Sequence, residues 1–268
     1  MTARPRARTP IATAGVLVVA AVIAIGAVGC RTSATTSPAP SAASSPAFAS
    51  QPASPPATSP TVKPGGPVAE ALIRTLRADP FIAHIEETTV ARTTTRALAI
   101  NVTAKAVGDV SGKDVALHVT GTGNGPAVDQ ELVSVGDAVW IRRGGSTTWE
   151  VHPRSAAASA IDGVLATIRL IDDPNQLVDV GVEEVDGRQL HHLTAAGSIA
   201  YSSADGAAGA YDRFEVWATA DGVPVLAKGT FSATLGTDSV VGNVDVRYSQ
   251  VGGPITIAPP SGAPTLVP

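Results

Sequence analysis

In "PVAEALIRTLRAD" the apolar positions Val68, Leu72 and Leu76 recur at helical spacing. Pro67 suits the first turn of that helix, and Asp79-Pro80 ends it. Beyond it the pattern changes to alternation. "RALAINVTAKAV", "DVALHVTGTG", "AVDQELVSV" and "DAVWIRR" follow one another, rich in Val, Ile and Thr, and predict strands. Gly136-Asp137 leaves two residues between "ELVSV" and "AVWIRR", the length of a tight hairpin loop. "STTWEVHP" predicts another short strand after Arg143-Gly144-Gly145.

The alternation breaks once. Ile161, Leu165 and Ile168 stand at i, i+4 and i+7, with Val164 and Ile171 beside them, which predicts an amphipathic helix between Ser155 and Ile171. Asp172-Asp173-Pro174 stops it, and a short second helix is expected over Asn175–Val178. Strands resume with "VGVEEV" and "RQLHHLTA" around Asp186-Gly187, and "RFEVWATA" and "VPVLAKGTFSATL" around Asp221-Gly222, two hairpin signals. "DSVVGNVDVRYS" and "PITIAPP" finish the pattern, and Gly197–Tyr211 reads as a Gly/Ala/Ser loop. The sum is an α+β domain. About ten or eleven strands in meander order form a strongly curved antiparallel half-barrel wrapped around one to three helices, because few helices are available to cover the apolar face.

Residues before the first helix divide differently. "MTARPRARTP" carries Arg4, Arg6 and Arg8 without an acid, and the next 18 residues, Ile11 to Val28, are uncharged and apolar apart from Thr13. A basic start, an apolar run and small residues after it form the layout of an export signal. The length also permits a retained spanning helix. Cys30, the sole cysteine, closes the run as Ala27-Val28-Gly29-Cys30, a lipobox with Ala at the first position in place of the commoner Leu or Val. Lipidation of its sulfur and cleavage before it would leave residues 1–29 as a signal peptide and the protein anchored at the extracytoplasmic face of the cell membrane. Residues 30–66, Ser-, Thr-, Pro- and Ala-rich after the cysteine, cannot bury enough apolar surface to order themselves and read as a tether. The folded domain is expected over 67–259, with 260–268 as a disordered tail.

Charge and chemistry narrow the function. Three of the 19 basic residues and none of the 23 acidic ones precede Cys30, which leaves the mature chain at a formal −7. A nucleic-acid partner is not expected of such a surface. A lone cysteine allows no internal disulfide. No G-x-S-x-G elbow occurs, and "GTGNG" at Gly121–Gly125 lies between two strands with no helix after it, as a turn would. His191 and His192 are neighbours on a strand and point to opposite faces, while His84, His118 and His152 are scattered, so no metal and no cofactor is expected. Glu86-Glu87, Asp172-Asp173 and Glu183-Glu184 read as solvated charge; a carboxylate pair assembled from distant positions stays open.

The lipobox, the Ser/Pro tether and the helix-bearing meander together resemble the actinobacterial lipid-carrier lipoproteins of the LppX/LprG type, which share the half-barrel of the LolA carriers. "AVWIRRGGSTTWEV" is similar to that family's aromatic strand, polar turn and Trp, and "IDGVLATIRLIDDPNQL" to its Ala-rich helix. "VEEVDGRQLHHLTAAG" and "FEVWATADGVPVLAKGTF" resemble its two Gly-centred hairpins, and a late strand precedes "PPSG". The Gly197–Tyr211 loop and Ala27 depart from the pattern.

The resemblance implies a non-catalytic monomer that holds an acylated lipid or glycolipid between sheet and helix and passes it across the envelope, with a transporter as possible partner. Its ligand space is expected to be lined by Leu98, Ile100, Val102, Leu117, Val119, Trp140, Leu165, Ile168, Val216 and Leu226. The same fold also serves RseB-type regulators as a sensor or interaction module without lipid. A secreted enzyme with a dispersed acidic site is the third class left.

Overall fold

Twelve strands among the described residues pair into one antiparallel sheet, in a computed structural model that describes residues 64–266 except 95–98, 124–126, 158–160, 162–163, 166–169, 203–207 and 236–237. Helix α1 spans Pro67–Leu76. The strands are β1 (Ile82–Thr94), β2 (Ala99–Ser111), β3 (Asp114–Thr122), β4 (Val128–Val135), β5 (Ala138–Arg143), β6 (Glu150–Pro153), β7 (Leu177–Val185), β8 (Arg188–Ala195), β9 (Ile199–Ser202), β10 (Ala208–Ala218), β11 (Pro224–Leu235) and β12 (Asp238–Ser249). Their order is β6-β5-β4-β3-β2-β1-β12-β11-β10-β8-β7, with β9 added beside β10. The ends β6 and β7 do not meet, so the sheet is an open half-barrel.

One face of this sheet is dry. Ala83, Ile85 and Ala91 on β1, Val102, Ala104, Ala106 and Val110 on β2, and Val240, Val244, Val246 and Tyr248 on β12 alternate with outward polar residues and join one buried cluster. The cluster runs from Val139 on β5 to Leu193 on β8. Helix α1 adds Val68, Ala69, Leu72, Ile73 and Leu76, while Ile161, Val164 and Leu165 are helical and buried in the same cluster. Eight strand steps separate β5 from β8, roughly 38 Å if the sheet were flat, and α1 is only about 15 Å long. Curling the sheet around its short cover is what keeps both wings from water.

The short hairpins form where the pairs of turn residues stand. Gly136-Asp137 joins β4 to β5, and Asp186-Gly187, both with positive φ (52° and 75°), joins β7 to β8. At the longer turn between β10 and β11, a Cβ on Gly222 would stand 2.3 Å from backbone atoms of Ala71 and Leu72, and its φ is +76°. Glycine there lets the turn press directly on α1. Gly222→Ala should lower stability by about 2 kcal/mol or more, read as a fall in the thermal midpoint, because both φ and the helix backbone resist the methyl. An unchanged midpoint would show that α1 rides on the turn with slack.

The structure corrects several expectations. Ile82–Thr94 forms the central strand β1, paired with β2 along its whole length and with β12 from His84 onward, although the sequence pattern assigned no strand there. Its inner positions read Ala83, Ile85, Glu87, Thr89 and Ala91, so a carboxylate and a hydroxyl break the apolar alternation. Part of the Gly197–Tyr211 loop is ordered as β9 and the start of β10. The second helix is a single 3₁₀ turn, Pro174–Gln176, after which Leu177 already belongs to β7. "PITIAPP" makes no strand. The Trp140 indole N–H donates to the Pro264 carbonyl at 2.7 Å, so this part of the segment read as a tail returns to β5. At the other end, the Gly65 N–H donates to the Leu177 carbonyl at 2.8 Å, fastening the last tether residues to edge strand β7. Cys30, residues 11–28 and the tether to residue 63 lie outside the described residues.

Candidate functional site

The inner face is built mainly from small side chains. Ala83, Ala91, Ala104, Ala106, Ala218, Ala227 and Ala233 are buried there. On the β10–β12 wing rings occupy the room this leaves. Tyr211 and Phe214 lie over Gly229, and Phe231 lies over Gly242, each within 3.1 Å of where a Cβ would stand. Tyr211 meets Phe214 edge-on and Phe231 at a tilt, with centroids 5.5 and 5.9 Å apart. At the middle of the sheet the β2 residues opposite Thr89 and Glu87 are the alanines Ala104 and Ala106.

Among the described residues three polar ones are buried: Glu87, Thr89 and Ser134. Ser134 is satisfied, since its Oγ accepts from the Arg154 guanidinium at 2.6 Å. The Thr89 hydroxyl donates to Glu87 Oε1 at 3.3 Å. Glu87 Oε2 has no partner among the described residues. Burial pushes the Glu87 carboxyl up to about 8, against a small opposing effect of the Thr89 hydrogen bond. Burial also raises the Tyr248 phenol, with Glu87 and then Tyr211 adding to the effect. Glu87 therefore carries its proton at neutral pH, and the expectation of solvated charge at Glu86-Glu87 holds only for Glu86, which is exposed beside Lys105. A carboxyl inside an apolar half-barrel is the feature that sequence reasoning missed. The signal was available: a Glu in phase with Ala83, Ile85 and Ala91.

Of the residues expected to line a ligand space, Val102, Leu117, Val119, Leu165 and Val216 all belong to the inner cluster. Ile100 pairs with Thr93 in β2, and its side chain, Leu98 and Ile168 lie outside what is described. Two expected residues are not brought there. Trp140 alternates with Val139 and Ile141 and so faces the other side, beneath the Pro264 segment. Leu226 pairs opposite Trp217 and forms a separate cluster with it and Leu190 on the outer face.

That outer cluster is fastened by polar groups. His192 stacks on Trp217 with centroids 4.3 Å apart, and Glu183 accepts from the Trp217 indole at 2.9 Å and contacts His192 Nδ1 at 2.9 Å. Those two hydrogen bonds, Trp217 first, hold the Glu183 carboxyl below the usual carboxylate range. His192 Nε2 stands 3.3 Å from Glu215 without hydrogen-bond geometry. His191 points the other way, to Asp179 at 2.8 Å, and each of the remaining histidines also has a carboxylate within 3.5 Å. Among the described residues no three metal-ligating side chains converge. Two open depressions of about 450 and 300 Å³ lie on this outer face, around Arg92, Thr230 and Val241 and around Arg213, Lys228 and Asp245.

No protein-family description and no curated protein matches the chain. Among solved structures it is similar to LprF from Mycobacterium bovis, at 16% identity over 74% of this chain and 100% of that one, with a TM-score of 0.43. It is also similar to a LolA superfamily protein from Nitrosomonas europaea, at 11% identity over 69% of this chain and 90% of that one, TM-score 0.25. A DUF1329 family protein from Desulfovibrio piger matches at 13% identity over 70% and 92%, TM-score 0.24.

Proposed function

We propose that the protein is a membrane-anchored lipoprotein that holds an acylated lipid on the inner face of its half-barrel and carries it through the cell envelope without making or breaking a bond. The observation that carries the reading is that inner face: wide, apolar and floored by alanines, with Val102, Leu117, Val119 and Val216 continuous across it. Small side chains on a curled sheet take up less of the room beneath its cover than the larger residues of a dense core would. The anchor is Cys30, and the tether gives the domain a reach of roughly 30 Å from the bilayer.

The full chain purified from a bacterial host should release a stoichiometric acylated lipid into an organic extract, identified by mass spectrometry. Lipid-free protein from several hosts would sink the reading. A second reading, an interaction module that docks a membrane partner along its open edge, is favoured by Val180 and Val182, which stand 48% and 54% exposed on edge strand β7. A stoichiometric protein partner and no lipid would select it.

A further inference from the structure

Glu87 sits on β1, with five strands on one side of it and five on the other along the main path of the sheet. Its side chain is on the inner face, flanked across the ladder by Ala106 and Val246. Lys105, Asp245 and Arg247 on the same neighbouring strands are exposed, on the opposite face, so none of these three meets the carboxyl. Such an arrangement is costly, because a buried acceptor without a partner forfeits hydration and gains no bond. Structure alone gives no reason for it: Thr89 supplies one hydrogen bond to Oε1, and Oε2 receives none among the described residues. A leucine at this position would extend the apolar run of Ala83 and Ile85 as far as Thr89.

We propose that the Glu87 carboxyl is the polar contact for a ligand on the inner face, donating its proton to the ester or amide carbonyl at which acyl chains are joined. The proposal rests on the lipid-binding reading above. A hydrocarbon tail between cover and sheet replaces one apolar contact by another and discriminates little. A carbonyl entering the same space loses its water, and among the described residues Glu87 is the inward group on the central strand with an unpartnered oxygen. A protonated carboxyl can donate to that carbonyl through one oxygen while Thr89 continues to donate to the other. Pairing thereby removes two penalties at once, that of the carboxyl in the empty protein and that of the desolvated carbonyl. Of its two cross-strand neighbours, Ala106 is small and Val246 is branched, so the smaller side chain stands on the β2 side.

The test compares radiolabelled methyl palmitate with hexadecane, which match in chain and differ in the ester. Retention of each by the full chain is measured by gel filtration at pH 7. The wild type should prefer the ester, and Glu87→Leu should lower the ester-to-hexadecane ratio by about 10-fold, the size of one hydrogen bond in an apolar setting. Glu87→Gln, whose amide still donates, should keep most of the preference. Unchanged hexadecane retention in Glu87→Leu certifies an intact inner face. The same ratio in wild type and Glu87→Leu overturns the assignment of Glu87 and leaves the lipid-binding reading standing. Retention of neither probe by the wild type overturns both.

Discussion

Glu87→Gln should flatten the pH dependence of stability between about pH 4.5 and pH 8. The carboxyl lies near 4.5 in the unfolded chain and is pushed by burial to about 8 in the folded one. Between these values the folded protein holds a proton that the unfolded chain has released, so stability falls as pH rises, and it levels off above pH 8. A shift of this size corresponds to roughly 5 kcal/mol over the whole window, a large part of the stability of an ordinary domain. Thr89 and Tyr248 face the carboxyl; the hydroxyl does not titrate, and the phenol, raised by the same burial, stays neutral throughout. Every other side chain is the same in both proteins. The informative quantity is therefore the wild-type minus variant difference, from urea unfolding at pH 5 and pH 8. It should change by several kcal/mol, the wild type losing ground at pH 8. Parallel curves would mean that Glu87 reaches water or a cation in solution. Glu87→Leu should unfold at a higher urea concentration than the wild type at pH 8, since it replaces an unpaired polar group by one that suits its surroundings.

This cost explains why the centre of the fold was the least legible part of the chain. The hairpins at Gly136-Asp137 and Asp186-Gly187 could be read from two residues each, because turn geometry is a local demand. Helix α1 followed from three apolar residues at one spacing and a proline at its start. Strand β1 offered no such signal. Its inner face alternates through Ala83, Ile85, Glu87, Thr89 and Ala91, so the strand looks polar on both sides although it is bonded on both edges. The functional residue hid the element that carries it. Trp140 and Leu226 failed for the opposite reason. Both are apolar and buried, but a one-residue step on a strand changes the face, and hydrophobicity alone does not say which side of the sheet is the inside. The outer face has its own covered patches, one beneath Pro264 and one beneath His192.

The proposed anchor and the proposed cargo site should be separable, and Cys30→Ala is expected to show it. In the wild type the full chain should incorporate labelled palmitate and sediment with membranes, because a lipidated cysteine supplies two or more chains, enough for stable attachment where one is marginal. The alanine variant should incorporate no label and should either reach the medium or accumulate at precursor mass, since cleavage before residue 30 depends on the modified sulfur. Unchanged mass with unchanged membrane retention would instead assign residues 11–28 to a retained spanning helix. The domain enters this only through its first described residues, Pro64 and Gly65, which bridge to Val178 on edge strand β7. The tether therefore leaves from the rim of the half-barrel, far in the sheet from β1 and Glu87. Loss of the lipid on Cys30 should leave the ester preference at Glu87 intact in the released protein. If that preference disappeared together with palmitate labelling, the lipid on the inner face would be the protein's own anchor chain folded back into the domain, and the transport reading would give way to one of self-occupancy.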